Sequence, residues 1–194
     1  MAKIILASKS PRRRELLDIL GINYTQIAAA TNEVIYPNET PYQAVKRLAV
    51  EKAESVAKQV DNSLIIAADT VVVLDGKILG KPTSKEEAYQ FIKDLSGKVH
   101  QVMTAVCVKN TVTGFCDARV ETTLVYFRDL EEEEINAYIS TNEPYDKAGG
   151  YAIQGKGSLL VKRIEGCYFN VVGLPLTTLY EMLKAQGVDF LRGD

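Results

Sequence analysis

An almost continuous apolar segment, LIIAADTVVVL at residues 64–74, constrains the fold of this chain more than any other feature. A run of this length, rich in Val and Ile, is typical of a β-strand that is buried on both faces, and such strands lie in sheets covered by helices. The segment therefore favours an α/β fold. One carboxylate, Asp69, interrupts it. Because an unpaired buried charge is very costly, Asp69 must find a cation, a metal ion or a proton, unless it accepts backbone hydrogen bonds at a break in the strand.

The rest of the chain mixes strand-like segments with amphipathic helices. Further strands are predicted over 3–7, 99–109, 116–127 and near 158–165, and the DGK sequence at 75–77 predicts a hairpin turn. A first helix is predicted to begin at Pro11 and to end at Gly21, and a second covers 41–58 with Thr40 as its N-cap. Further helices are predicted over 84–95, from 131 and after 173–175. With no repeat or clear linker, we expect one domain over residues 1–194, built on a mixed sheet flanked by helices.

Charge and composition exclude several classes of protein. The 194 residues carry a formal net charge of −2, which argues against a general nucleic-acid-binding protein. No apolar run approaches the roughly 18 residues of a membrane helix, and the N-terminal segment is too polar for a secretion signal. The three cysteines have no CxxC spacing. They predict free thiols in a reducing compartment, so we expect a soluble cytoplasmic protein.

The segment SKSPRRRELL at residues 8–17 predicts an anion site at the start of a helix. Ser10 would be the N-cap and Pro11 the first helical residue, and a helix N-terminus offers unpaired N–H groups and partial positive charge. Helical spacing directs Arg12 and Arg13 toward the apolar side of the helix. The outer arginine, Arg14, is expected to pair with Asp18 on the surface. A merely solvated basic helix start stays open as the alternative.

A second cation stands where a hydrophobic residue is expected. In the predicted helix 41–58, Lys52 falls on the apolar stripe, four residues after Leu48 and four before Val56. One interpretation is that its alkyl stem lies on the core while the ammonium group reaches water. The other is that the ammonium group contacts an anion in a cleft.

Taken together, these residues indicate a site for a polyphosphate. Inward cations would neutralise phosphate charge, and a strand-borne aspartate suits Mg²⁺ or Mn²⁺ binding or the activation of a water molecule. The P-loop and GxGxxG motifs are absent, as is any second histidine beside His100 that could form a histidine metal site. The candidate residues are Arg12, Arg13, Lys52 and Asp69 and, less specifically, Lys81 and Glu33.

Six segments stand out in order along the chain: LASKSPRRRELL, RLAVEKA, AADTVVVLDGKILGKP, LSGKVHQVMTAV, EPYDKAGGYAIQGKG and VVGLPL. Together they resemble the Maf family of nucleotide pyrophosphatases. The resemblance implies a fold like that of the inosine triphosphate pyrophosphatases, with a central mixed sheet and a cleft between two lobes. It also implies a homodimer, and an enzyme that uses a divalent cation to split nucleoside triphosphates into the monophosphate and pyrophosphate.

The resemblance also assigns roles to individual residues. It implies that Asp69 is the catalytic residue, usually assigned as the proton acceptor. Phosphate and nucleotide binding would fall to Ser8, Ser10, Arg12, Arg13, Lys52 and Lys81. The metal would be held by Glu33 and Asp69. Whether Asp69 acts as base, metal ligand or both is left open.

Three positions distinguish branches of the family. The branch that hydrolyses dTTP and UTP resembles SPRR, ADT and IQG, whereas the 7-methyl-GTP branch resembles SPWR, SDQ and SEG. This chain has Arg12, Thr70 and Gln154, which match the first set. The amide of Gln154 could complement the N3–H and carbonyl edge of thymine or uracil. The resemblance therefore implies a dTTP/UTP pyrophosphatase, with modified pyrimidine triphosphates as a possible extension. The alternatives are a pyrophosphatase for a purine triphosphate and a non-enzymatic regulator of septum formation and cell division.

Overall fold

The computed structural model describes residues 2–191. Its strands are β1 (Lys3–Leu6), β2 (Thr25–Gln26), β3 (Ser63–Leu74), β4 (Lys77–Leu79), β5 (Val99–Asn110), β6 (Cys116–Phe127) and β7 (Val161–Glu165). Its α-helices are α1 (Pro11–Ile19), α2 (Pro41–Ala57), α3 (Lys85–Leu95), α4 (Glu132–Ile139), α5 (Tyr168–Val172) and α6 (Leu176–Lys184). Short 3₁₀ helices cover Pro144–Asp146, Ala148–Gly150 and Gly155–Leu160.

The strands of the described residues form one mixed sheet in the order β2-β1-β3-β5-β6-β7, with β4 added to β3. Strand β1 runs parallel to both β2 and β3, whereas β4 is antiparallel to β3 and β7 is antiparallel to β6. All but one residue of β3 are buried, as expected for a strand covered on both sides. The predicted mixed α/β sheet is therefore confirmed.

Helix starts follow the signals in the sequence. Helix α1 begins at Pro11 directly after Ser10, and α2 begins at Pro41 after Thr40. The Thr40 hydroxyl accepts the backbone N–H of Gln43, whose side chain accepts the N–H of Thr40 in return, so the cap is a complete capping box. The capping box at Thr40 satisfies N–H groups that a helix leaves unpaired, whereas Pro11 suits the first helical position because it has no N–H that needs a partner.

Two expectations differ from the structure in part or whole. The strand predicted near 158–165 begins only at Val161, because the chain before it forms the 3₁₀ helix Gly155–Leu160. Arg14 makes no ion pair with Asp18 among the described residues, and the Asp18 carboxylate instead accepts a hydrogen bond of 2.8 Å from the Tyr24 hydroxyl.

The chain divides into two compact units. The first contains the described residues up to Asp69, Thr104–Glu121 and those from Gly173 onward, and the second contains Thr70–Met103 and Thr122–Val172. The core of the second unit is formed by Val72, Leu74, Ala88, Ile92, Leu95, Val102, Val125, Phe127, Ile135, Tyr138, Ile139, Tyr151 and Leu160.

Two further expectations can be compared with residues 2–191. Cys107, Cys116 and Cys167 are all free thiols, as predicted. None of the helices in this range combines the length and hydrophobicity needed to cross a bilayer.

Candidate active site

Asp69 lies at the end of the first unit, inside strand β3, and only 6% of its surface is exposed. Its Oδ1 atom is 2.5 Å from the Nζ atom of Lys52. The buried carboxylate has thus found a cation, which is one of the three solutions that the sequence left open. The pairing explains how a charged group can be accommodated in an otherwise apolar strand.

Lys52 bridges two carboxylates. It lies on the buried face of α2, and its Nζ atom is also 2.7 Å from Oε1 of Glu33. Only 8% of Lys52 is exposed, so the interpretation in which its ammonium group reaches water is wrong. Glu33 is about half exposed, at 49% of its side chain. The three residues form a cluster that is buried at Asp69 and Lys52 and open to solvent at Glu33.

Arg13 is buried beside this cluster. Its Nε atom donates a hydrogen bond of 2.7 Å to the carbonyl of Gly173, and its Nη1 atom donates one of 3.3 Å to the Ser8 hydroxyl. Burial lowers the pKa of the Arg13 guanidinium, and the negative charges of Asp69 and Glu33 partly oppose this shift. The guanidinium therefore lies within electrostatic reach of both carboxylates.

Ser8 connects β1 to the start of α1. Its hydroxyl accepts the backbone N–H of Ser10 at 3.1 Å as well as the guanidinium of Arg13, and its carbonyl accepts the Gln26 amide at 2.7 Å. Ser10 stands at the N-cap, but its hydroxyl makes no capping hydrogen bond. The predicted helix start, with Ser10 at the N-cap and Pro11 as the first helical residue, is therefore confirmed, although the Ser10 side chain does not close the cap.

The three arginines of α1 differ as the helical spacing predicts. Arg13 is buried, Arg12 is half-buried and Arg14 is exposed. The charge of Arg12 contributes to lowering the pKa of Arg13, so these two cations lie near each other. Two like charges at one helix start are favourable only where anions compensate them, and the first unit provides Asp69 and Glu33 for this.

The same two carboxylates provide suitable donors for a divalent cation. Mg²⁺ prefers oxygen ligands and is usually held by one or two carboxylates together with substrate phosphates and water. Glu33 and Asp69 are brought together on one ammonium group, which fits this donor set. Within residues 2–191 there is no group of three or more His, Cys, Asp or Glu side chains able to hold a metal. A cation at Glu33 and Asp69 would thus complete its coordination with phosphate and water oxygens.

The remaining predicted residues belong to the second unit. Thr70 follows Asp69 in β3 and is half-buried, and Lys81 is exposed in the loop after β4. Gln154 is half-buried and stands immediately before the 3₁₀ helix Gly155–Leu160, whose start its side chain does not cap. The amide of Gln154 is thus not used by the helix that it precedes.

Sequence reasoning missed two residues that hold the site in place. The carbonyl of Gly173 fixes Arg13 from 160 positions away, and Gln26 fixes the carbonyl of Ser8. Gly173 lies in the VVGLPL segment, which the sequence indicated only as a helix boundary and through the resemblance, not as a partner of Arg13. Gln26 lies in the two-residue strand β2, which carries no recognisable pattern.

Comparison with known proteins finds relatives that match the chain over its full length. A protein named dTTP/UTP pyrophosphatase from Syntrophomonas wolfei is 51% identical over 189 residues, which cover 97% of this chain and all of that protein. A protein of the same name from Caldicellulosiruptor saccharolyticus is 45% identical over 198 residues, covering both chains completely.

A solved structure supports the fold. The Ham1 protein of Staphylococcus aureus superposes with a TM-score of 0.57 at 16% identity, covering 95% of this chain and 99% of that one. At this identity the likeness concerns the fold alone, and it confirms the expected α/β fold built on a central mixed sheet. The family model described as Maf-like protein matches residues 3–186, and with this match over nearly the whole length the chain belongs to the Maf family.

Proposed function

We propose that this protein is a nucleoside triphosphate pyrophosphatase that hydrolyses dTTP and UTP to the monophosphate and pyrophosphate. The observation that carries the proposal is the cluster in which Lys52 joins Asp69 and Glu33, beside the buried Arg13. The full-length similarity to proteins named dTTP/UTP pyrophosphatase supports the choice of reaction and substrate.

The cations would bind the triphosphate. Arg13, the Ser8 hydroxyl and the N–H groups at the start of α1 offer donors to phosphate oxygens, and a helix N-terminus favours an anion. Lys52 holds two carboxylates in the described chain, so a phosphate oxygen would compete with them for its ammonium group. Such positive groups stabilise the charge that develops on pyrophosphate as it leaves.

Asp69 would act as the proton acceptor. In the reaction, water is added across the anhydride between the α- and β-phosphates, so one proton must leave the attacking water. An ionised carboxylate held in place by Lys52 can accept this proton, and a positioned base contributes about 10²–10⁴-fold to a rate. Glu33 and Asp69 would also hold Mg²⁺ or Mn²⁺, which when bound neutralises phosphate charge and orients the substrate.

Base preference would depend on Arg12, Thr70 and Gln154. A side-chain amide presents an NH₂ donor group and a carbonyl acceptor, which can match the neighbouring carbonyl and the N3–H of thymine or uracil. A glutamate at position 154 would present acceptors only and would favour a base edge rich in donors, as in guanine. The proposed substrates are therefore pyrimidine triphosphates, including modified ones.

A panel of triphosphates tests the proposal. The purified protein is incubated with dTTP, UTP, CTP, GTP, ITP and 7-methyl-GTP, with and without Mg²⁺ or Mn²⁺, and pyrophosphate and monophosphate are quantified. We expect metal-dependent release of pyrophosphate, fastest from dTTP and UTP. Faster turnover of a purine triphosphate would overturn the base preference, and release of inorganic phosphate with a diphosphate would overturn the reaction.

Two further properties are proposed from the resemblance and the sequence. A homodimer predicts a mass near twice that of the chain in size-exclusion chromatography with light scattering, and a monomer mass would contradict it. A cytoplasmic location predicts that the protein is recovered in the cytosolic fraction of lysed cells.

A further inference from the structure

We propose that Glu143 is the positioning residue that fixes the loop carrying Gln154 and thereby sets the preference for pyrimidine triphosphates. This inference rests on the proposed function, because it concerns the residue proposed to distinguish the bases. The loop in question comprises residues 152–157, and it is called the Gln154 loop below.

The carboxylate of Glu143 binds two successive backbone N–H groups of this loop. Its Oε1 atom accepts the N–H of Lys156 at 2.9 Å, and its Oε2 atom accepts the N–H of Gly157 at 3.1 Å. Both groups lie at the start of the 3₁₀ helix Gly155–Leu160, where helical N–H groups have no partner within the helix. Hydrogen bonds to an ionised acceptor are about twice as strong as neutral ones, and two of them fix orientation as well as distance.

Gly155, the residue after Gln154, leaves room for this carboxylate because it has no Cβ atom. Gly155 has a φ of 65°, in the left-handed region, and a Cβ atom there would lie 2.8 Å from Oε1 of Glu143. On the other side, a Cβ atom on Gly157 would lie 2.2 Å from the carbonyl oxygen of Ala152. The backbone therefore folds back tightly around Gln154, and the Glu143 carboxylate closes the turn.

Glu143 is itself held from both sides. Its backbone N–H donates to the Thr141 hydroxyl at 3.3 Å, and its carbonyl accepts a hydrogen bond of 2.7 Å from the ammonium group of Lys147. The preceding helix α4 contributes Ile135, Tyr138 and Ile139 to the core of the second unit. The packed helix α4 thus fixes the position of Glu143, and the Glu143 carboxylate in turn fixes the Gln154 loop.

Matched substitutions separate positioning from general stability. Glu143→Gln keeps the size of the side chain but replaces one acceptor oxygen with an NH₂ group, which cannot accept an N–H. We expect kcat/KM for dTTP and UTP to fall about tenfold, mainly through KM, because one charge-assisted hydrogen bond is lost and the other becomes neutral. Turnover of ITP should change less than about twofold, since base-independent contacts are unaffected. Glu143→Asp keeps the charge and should restore part of the loss.

Glu133→Gln is the matched control. This glutamate is exposed on the first turn of α4, and its substitution should leave the ratio of dTTP to ITP turnover unchanged. Hydrogen–deuterium exchange gives a readout that is independent of turnover. In Glu143→Gln, exchange at the amides of Lys156 and Gly157 should accelerate about tenfold while exchange in β3 is unchanged, because only a local opening becomes easier.

The outcomes distinguish this inference from the proposed function. If the wild-type protein shows no preference for dTTP and UTP over ITP, the proposed function fails and this inference fails with it. If the wild type prefers pyrimidines and Gln154→Ala removes the preference, but Glu143→Gln alters neither the ratio nor the amide exchange, only this inference is overturned. The inference is supported if Glu143→Gln lowers the ratio of dTTP to ITP turnover and accelerates amide exchange, while Glu133→Gln changes neither property.

Discussion

Removing the ammonium group of Lys52 should strongly destabilise the protein. Lys52→Met keeps a flexible side chain of similar length on the buried face of α2 but leaves the Asp69 carboxylate without the cation that lies 2.5 Å away. The side chains of Lys52 and Asp69 are only 10% and 9% exposed, so water cannot readily replace the lost partner. The substitution therefore leaves a buried charge whose nearest compensation is gone.

The size of the effect follows from the two contacts. Breaking a buried ion pair by removing one partner costs about 3–5 kcal/mol, whereas a half-exposed pair contributes no more than about 1 kcal/mol. The contact with Glu33 is of the second kind because that side chain is 49% exposed. We therefore expect the free energy of unfolding to fall by about 3 kcal/mol, nearly all of it from the Asp69 contact. In Lys52→Met/Asp69→Asn the loss should be about 2 kcal/mol smaller than the sum of the single losses.

Urea unfolding followed by circular dichroism at pH 7 measures these differences as shifts of the midpoint at constant slope. Lys46→Met is the matched control, because Lys46 is an exposed lysine of the same helix and its loss should change stability by less than about 0.5 kcal/mol. If Lys52→Met were no more destabilising than Lys46→Met, or if the double variant showed additive losses, Lys52 would not be compensating a buried Asp69.

Three other predictions follow from single contacts. Arg13→Lys keeps the charge but loses the planar guanidinium that reaches the Gly173 carbonyl. The KM for dTTP should therefore rise about tenfold or more, with little change in the circular dichroism spectrum. An unchanged KM would show that Arg13 does not bind the substrate. Burial lowers the pKa of His100 from 6.5 to about 4. As the pH falls below about 6.5, the unfolded state therefore binds a proton that the folded state does not yet bind, and stability is lost. Between pH 7 and pH 5 the wild type should lose about 2 kcal/mol more than His100→Gln in urea unfolding, and equal losses would contradict a buried neutral imidazole. Gly149 has a φ of 69°, and a Cβ atom there would lie 2.9 Å from a valine methyl group, so Gly149→Ala should cost about 2 kcal/mol in urea unfolding. Gly80→Ala, with open space around its Cβ, should cost less than about 0.5 kcal/mol, and similar losses in both variants would refute the steric argument.

The buried strand was accessible from the sequence through its apolar run, and Asp69 and Lys52 were accessible as unusual residues, although their pairing with each other was not predicted. A carboxylate in an apolar strand and a lysine on an apolar helix face are both costly alone, so the sequence indicates that each has a partner. The helix starts at Pro11 and Pro41 were equally accessible, since caps depend on neighbouring residues.

Contacts between distant segments were not accessible in this way. Nothing in the local sequence connects Arg13 with a carbonyl 160 positions away, or Glu143 with amides of a loop that begins nine residues later in the chain, at Ala152. The late start of β7 has a related cause. The chain before Val161 forms a 3₁₀ helix whose first N–H groups are bound by the carboxylate of Glu143, a contact that the segment itself does not reveal.

The most direct test of the proposed mechanism is the rate of pyrophosphate release from dTTP by Asp69→Asn, compared with the wild type at saturating substrate and Mg²⁺. The substitution preserves shape but removes the proton acceptor. We predict that kcat falls by about 100-fold or more, while KM changes by only a few-fold and the circular dichroism spectrum is unchanged. A kcat within about threefold of the wild type would contradict the central claim that Asp69 accepts the proton of the attacking water.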